Sequence, residues 1–235
     1  MRLWVLTLLA SMSVAAAPSV SAAPHHPSKN DLAPGYGELE FILPSPGSYR
    51  LPGLGQAADS KVLTSKGRQV NLHDLMGDKF TLLSFIYTRC SDVNGCPLAS
   101  YVLGKVQDRV LADEILKDYV RLVSISFDPQ NDTPQVLENY ASHFRKPGFD
   151  WQFVTANTDE DMAAILKAYD QFVIQDYDSQ GKLLGSISHM LRVYLIDHEH
   201  EIRNIYSVSY LHPDTVMNDI RTIVAAASAE LHRQN

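Results

Sequence analysis

The stretch from Phe80 to Pro97 reads FTLLSFIYTRCSDVNGCP. Its first part, Phe80 to Tyr87, is an almost unbroken apolar run, which predicts a short strand buried on both faces. Cys90 follows at once, and Cys96 closes a five-residue spacer, Ser91 to Gly95. Pro97 comes next, and proline suits a first helical turn because its missing N–H has no partner there anyway. Leu98 to Leu116 then carries helical spacing. Both cysteines therefore sit on the turn from a central strand into a helix.

Working outward, the same alternation repeats. Val120 to Phe127 reads as a second buried strand, ended by Asp128-Pro129. In Asn131-Asp132-Thr133-Pro134, Asp132 or Thr133 caps the next helix and Pro134 fits its first turn. Capping is taken to account for Asp132 in full. The helix runs to about Phe144. Trp151 to Thr155 is a third strand, and Thr158 with Asp161 opens a helix reaching Tyr169. On the amino-terminal side, Val62-Leu63 and Val70 to Leu72 flank the turn Ser65-Lys66-Gly67 as a small hairpin. On the carboxy-terminal side, Leu191 to Ile196 and Glu201 to Tyr206 form another, followed by a helix over about 213–231. The order is α/β with an antiparallel pair. With two cysteines at the first strand–helix turn, it is the layout of a thioredoxin-like fold, a central mixed sheet flanked by helices.

Three regions divide the chain. Arg2, the apolar Leu3 to Ala10 and the small residues up to Ala23 form an export signal, with cleavage placed after Ala22. Residues 23–60 are rich in Pro and Gly and read as an extended arm that lies on the domain or tethers it. Residues 61–235 form the thioredoxin-like domain. The chain carries 20 basic against 27 acidic residues, a formal charge of -7, and has no basic run. Nucleic acid and anionic membrane surfaces are therefore poor partners. Export places the mature chain in the periplasm, an oxidising compartment where cysteine pairs become structural disulfides. A ring this short gains only about 2 kcal/mol from loop closure. A chain that is 45% hydrophobic does not need that staple. A close pair more often does redox or metal chemistry.

Three phrases stand in order: Cys90 to Pro97, Phe127 to Pro134, and Ser188-His189 before the strand Leu191 to Ile196. Together they resemble the Sco family of copper proteins, the SenC type. Its pattern of Tyr-Thr-x-Cys followed by Pro-Asp-x-Cys-Pro is met by Tyr87-Thr88-Arg89-Cys90-Ser91-Asp92-Val93 and then Cys96-Pro97. Its Asp-Pro-x-x-Asp-Thr-Pro phrase is met by Asp128 to Pro134. Its histidine five positions before Tyr-Leu-Ile-Asp is met by His189 before Tyr194 to Asp197. The resemblance covers about 60–230. One departure matters: the family spacer holds three residues, and Asn94-Gly95 looks like a two-residue insertion, a turn-forming pair.

The resemblance implies a copper ion held by Cys90, Cys96 and His189. It also implies a metallochaperone role, delivering copper to a client cuproenzyme such as the copper-bearing subunit of cytochrome c oxidase. Soft thiolates suit Cu(I), and imidazole serves either oxidation state. Arg89, beside the first cysteine, either offsets the charge of such a site or points away. The alternative is a thiol-disulfide oxidoreductase using Cys90 and Cys96 as its redox pair on a client's cysteines. Thioredoxin-type enzymes use a two-residue spacer and a proline facing the cysteines, where Gly185 to Met190 offers His189. Asp128 is expected near the cysteines, since sites gather at the C-terminal ends of parallel strands. Met190 is expected in the core. His198 and His200 are read as a solvated hairpin tip, and His25 and His26 as stray Cu(II) binders. His73, His143, His212 and His232 are given structural or surface roles.

Overall fold

A computed structural model of the protein describes residues 32–234, with side chains as far as 228. Residues 1–22, expected to form an export signal, lie outside the described residues with His25 and His26, as does the side chain of His232. The domain is α/β, with seven strands in one mixed sheet of order β2-β1-β5-β4-β3-β8-β9. Its strands are β1 (Lys61–Thr64), β2 (Gln69–Asn71), β3 (Phe80–Ile86), β4 (Val120–Ser126), β5 (Trp151–Thr155), β8 (Val193–Ile196) and β9 (Ile202–Tyr206). Strands β3, β4 and β5 run parallel, with Phe80 opposite Val120 and Leu122 opposite Trp151. Parallel neighbours cannot be joined by a tight turn and need crossovers. The crossovers are α2 (Cys96–Leu111) with the short α3 (Leu116–Tyr119), and α4 (Pro134–Ser142). The flanking pairs β1–β5, β3–β8 and β8–β9 are antiparallel. This is the thioredoxin-like arrangement that the strand–helix alternation predicts.

Every residue of β3 is buried, as its apolar run requires. Each fully buried Leu, Ile or Phe side chain of this kind contributes about 1.5–3 kcal/mol through burial. The exceptions inside the sheet are satisfied. The Ser84 and Ser124 hydroxyls meet at 2.9 Å, and Trp151 Nε1 donates to Ser124 Oγ at 3.0 Å. Helix α2 packs on β3 and β4 and against α6 (Pro213–Gln234). The helix expected over 98–116 is in fact two. Helix α2 ends at Leu111, and Asp113 Oδ1 accepts from the N–H groups of Ile115 and Leu116 to start α3. A five-residue helix, α1 (Leu72–Met76), takes over Leu72 from the predicted hairpin. Helix α5 (Asp159–Ala168) is capped as expected, with Thr158 Oγ1 accepting from Asp161 N at 3.1 Å.

One element has no counterpart in the sequence reading. Strands β6 (Val173–Tyr177) and β7 (Leu183–His189) form a separate antiparallel ribbon between α5 and β8. Its side chains are mostly exposed and follow no clean alternation. It supplies no period-two signal because Ile187 is its one buried residue.

Residues 33–60 run along this domain. Pro34–Tyr36 form a single 3₁₀ turn whose Gly35 is buried. Leu54 N donates to Ile202 O, Ala57 N to His200 O, and Gln56 bridges Glu201 at the free edge of β9. Covering an edge in this way satisfies its backbone groups.

Candidate metal centre

The first sulfur lies just beyond the C-terminal end of β3. Tyr87 O accepts the Cys90 N–H at 3.2 Å, which turns the chain out of the sheet and leaves Cys90 half-buried. Six residues later, beyond the five-residue spacer, Cys96 is the first residue of α2 and is 1% exposed. Its Sγ accepts the Tyr87 N–H at 3.4 Å, so the strand's last turn and the helix's first turn meet at this sulfur. The third group arrives from the ribbon. His189 is the last residue of β7, paired with Val173, and its Nε2 stands 3.3 Å from Cys96 Sγ. Among the described residues, Cys90, Cys96 and His189 form the one cluster of three or more His, Cys, Asp or Glu placed to share an ion, with ligand atoms all within 4.8 Å of one another. The structure thus brings together the three residues that the sequence picks out.

The imidazole is held by rings. Phe127 lies 4.9 Å away at 54°, and Tyr87 6.1 Å away edge-on. His189 Nδ1 is buried with no hydrogen-bond partner. A bound ion usually finds its histidine oriented by a hydrogen bond on the far nitrogen; here aromatic packing takes that place. The two thiols share their environment unequally. The hydrogen bond with Cys96 lowers Cys90 to about 4, against the effect of its partial burial, and His189 adds to the lowering. Burial pushes the Cys96 thiol up, and the neighbouring Cys90 sulfur adds to that. One thiolate forms easily and the second needs a positive charge beside it.

Around the site, two expectations change. Asp132 is not a helix cap. Thr133 is the N-cap of α4, accepting from Val136 N. Asp132 is fully buried and accepts from Thr88 N (2.9 Å), Thr88 Oγ1 (2.5 Å) and Ser126 Oγ (2.5 Å). It therefore fastens the segment entering Cys90 to the end of β4. Met190 is not core; it is 46% exposed and lines an open groove of about 600 Å³ beside His189, with Phe172, Ile174 and Val208. The strand pattern ends at His189, so alternation does not carry Met190 inward. Arg89 turns to Asp128, with Nη2 2.9 Å from Oδ2. Its charge is therefore already matched by a carboxylate. Asp128 itself is buried at the end of β4, bound also by Asn131.

The remaining histidines serve other ends. His73 and His200 stack at 4.2 Å, each with Nε2 against a backbone oxygen, of Ala57 and Gly77. His198 is exposed and tilts over Phe80. His212 is buried, with Nε2 on Gly37 O, and His143 Nδ1 meets Asn139 O.

Two thiolates and an imidazole are a soft donor set, suited to Cu(I). Metal–sulfur and metal–nitrogen bonds of about 2.0–2.3 Å put two donors at most about 4.6 Å apart. The three atoms need close only slightly to hold one ion.

The chain is 23% identical over 157 residues to the SCO1 protein homolog of Bacillus subtilis (strain 168), an alignment that covers 66% of this chain and 76% of that protein. The copper-bound crystal structure of Arabidopsis thaliana ScoI superposes with a TM-score of 0.57 at 25% identity, covering 70% of this chain and 98% of that one. BsSco, described as a member of the Sco family of cytochrome c oxidase assembly proteins with a disulfide switch, superposes with a TM-score of 0.56 at 22% identity over 73% of this chain and 95% of its own. The SCO1/SenC family pattern matches residues 57–225, the span that carries both cysteines and the histidine, and the chain belongs to the SCO1/SenC family.

Proposed function

We propose that this protein is an exported copper metallochaperone that carries one copper ion as cargo on Cys90, Cys96 and His189. The observation that carries this reading is the convergence of three donors, from the turn after β3, α2 and the ribbon, within 4.8 Å. Cu(I) on two thiolates keeps a net negative charge. The ion supplies the positive charge that lets the buried Cys96 stay ionised beside Cys90. Deep burial of one sulfur and half-exposure of the other suit a cargo site. Cys96 and His189 hold the ion from inside, and Cys90 is the side from which a partner's ligand would enter. The client fitted to this role is a cuproenzyme such as the copper-bearing subunit of cytochrome c oxidase. The periplasm is the compartment that Arg2 and the apolar Leu3 to Ala10 support. Among the described residues no helix is long and apolar enough to cross a membrane.

Copper titration of the reduced protein tests this reading. One tightly held Cu(I) is expected, abolished by Cys90→Ser or Cys96→Ser and weakened at least ten-fold by His189→Ala. A wild-type protein that holds no copper, or a His189→Ala variant that holds it as well, overturns it.

The pairing of a half-buried Cys90 with a buried Cys96, neither in a disulfide, favours a second reading, a thiol-disulfide oxidoreductase. The Cys90 thiolate would attack a client disulfide and release one client thiolate. Cys96 would then attack the Cys90 sulfur, releasing the other client thiol and leaving a Cys90–Cys96 disulfide. This activity needs both cysteines but not His189. Reduction of a client disulfide by copper-free His189→Ala at the wild-type rate would favour it.

A further inference from the structure

The cysteine spacer is held from two sides. From within, Asp92 Oδ1 accepts from Asn94 N at 3.0 Å and Asp92 O from Gly95 N at 2.9 Å. From outside, the arm reaches its apex. Tyr36 Oη donates to Val93 O at 2.5 Å, and Ala33 N donates to Asn94 Oδ1 at 2.7 Å. We infer that Ala33–Tyr36 is a positioning clamp for the cysteine loop, setting from outside the site how tightly Cys90 and Cys96 are held at metal-binding separation.

The clamp grips loop and helix together. The Tyr36 ring lies 4.9 Å from that of Tyr101 in α2. A Cβ on the buried Gly35 would lie 2.2 Å from Leu211 O and 3.1 Å from the side chains of Leu98 and Val102, also in α2. Cys96 is the first residue of that helix, whereas Cys90 lies outside it, at the other end of the spacer. A segment bonded to the spacer's apex and seated on the helix opposes the motion that would carry Cys90 away from Cys96. Five residues give such a loop considerable freedom, and ordering it in advance lowers the entropic cost of gathering ligands. The inference deepens the copper reading and rests on it for the effect on metal affinity. The effect on the thiols needs no metal.

The test uses the whole chain with Tyr36→Phe, Gly35→Ala, Asn94→Ala and the Gly35→Ala/Asn94→Ala pair. Tyr36→Phe removes one hydroxyl and leaves the ring on Tyr101; Gly35→Ala drives the turn from its seat. Three quantities are read for each: Cu(I) retention against a competing chelator, the alkylation rate of Cys90 and the reduction potential of the dithiol, the last two without copper. Tyr36→Phe and Gly35→Ala are each expected to weaken Cu(I) roughly three- to ten-fold, the range of one lost hydrogen bond. Both shift the potential and speed alkylation, and Asn94→Ala adds nothing once Gly35→Ala is present. Unchanged alkylation rate and potential in Tyr36→Phe overturn the clamp, as do Gly35→Ala and Asn94→Ala effects that simply multiply. If the wild type holds no copper, the cargo reading fails, and the alkylation rates and their non-additivity still decide the clamp. Should Gly35→Ala not fold, Tyr36→Phe decides it alone.

Discussion

Asp132 shows how one side chain can serve a site it does not touch. Its carboxylate takes two hydrogen bonds from Thr88 and one from Ser126 while fully buried. Thr88 is two residues from Cys90, so this carboxylate sets where the chain leaves β3. Removing a buried acceptor strands its donors, which costs more than the bonds themselves contribute. Asp132→Ala is expected to lower stability by about 2–4 kcal/mol, read as a lower denaturation midpoint in urea. Asn in its place should recover part of the loss, since an amide oxygen still accepts. A variant as stable as the wild type would show that Thr88 and Ser126 find water instead.

At the scale of elements, the ribbon and the parallel strands make separate predictions. Asp176 on β6 accepts from Ser186 Oγ (2.6 Å) and Ser188 Oγ (2.8 Å) on β7, next to His189. The ribbon packs little into the core, so it depends on such ties. Asp176→Ala is expected to leave the denaturation midpoint nearly unchanged and weaken copper retention about three-fold, since of the two surface hydrogen bonds lost only that of Ser188 adjoins His189. Equal retention would mean that Phe127 and Tyr87 suffice to aim the imidazole. Across the start of the parallel strands, Asp150 binds Arg121 Nε at 2.7 Å and Gln152 Nε2 at 2.6 Å, with Lys79 3.7 Å away. Burial by itself would raise this carboxyl. The Gln152 hydrogen bond and the Arg121 guanidinium outweigh it and hold the group below its ordinary value. A lowered carboxyl contributes stability that is present above the unfolded value of about 3.9 and lost as pH falls through the folded one. Asp150→Asn should therefore cost about 1 kcal/mol at pH 7 and progressively less below about pH 4. Melting curves at both pH values check this, and an equal deficit at both would sink it.

For the whole molecule, Asp219 joins three distant pieces of chain. This buried α6 carboxylate accepts from Tyr49 Oη in the arm (2.5 Å), and from Asn204 Nδ2 (2.8 Å) and Tyr206 Oη (2.7 Å) in β9. Burial, with Asp219 beside it, pushes the Tyr206 hydroxyl well above its ordinary value, so it remains a donor at any working pH. Asp219→Ala should cost about 3 kcal/mol and release the arm together with the edge it covers. Limited proteolysis is expected to cut near Tyr49 in the variant before it cuts the wild type. An uncut arm would show that its contacts with β9 and α2 hold it alone.

Much of this was written locally along the chain. The run Phe80 to Tyr87, the helix after Pro97 and the strand Val120 to Phe127 declare themselves because burial on both faces, capping and proline placement act over neighbouring residues. That placed Cys90 and Cys96 on one turn, and the phrase around His189 pointed to the third group. The ribbon that delivers His189 stayed hidden, because exposed strands leave no periodic signature. Asp132 looked like a cap because a helix start and a buried hydrogen-bond hub favour the same residue type. Whether Arg89 faced the sulfurs or Asp128, and whether the Pro/Gly-rich arm reached the cysteine spacer, depended on partners 39 to 61 residues away. Such contacts are chosen by how the finished sheet and helices bring chain segments together, and no local pattern encodes that choice.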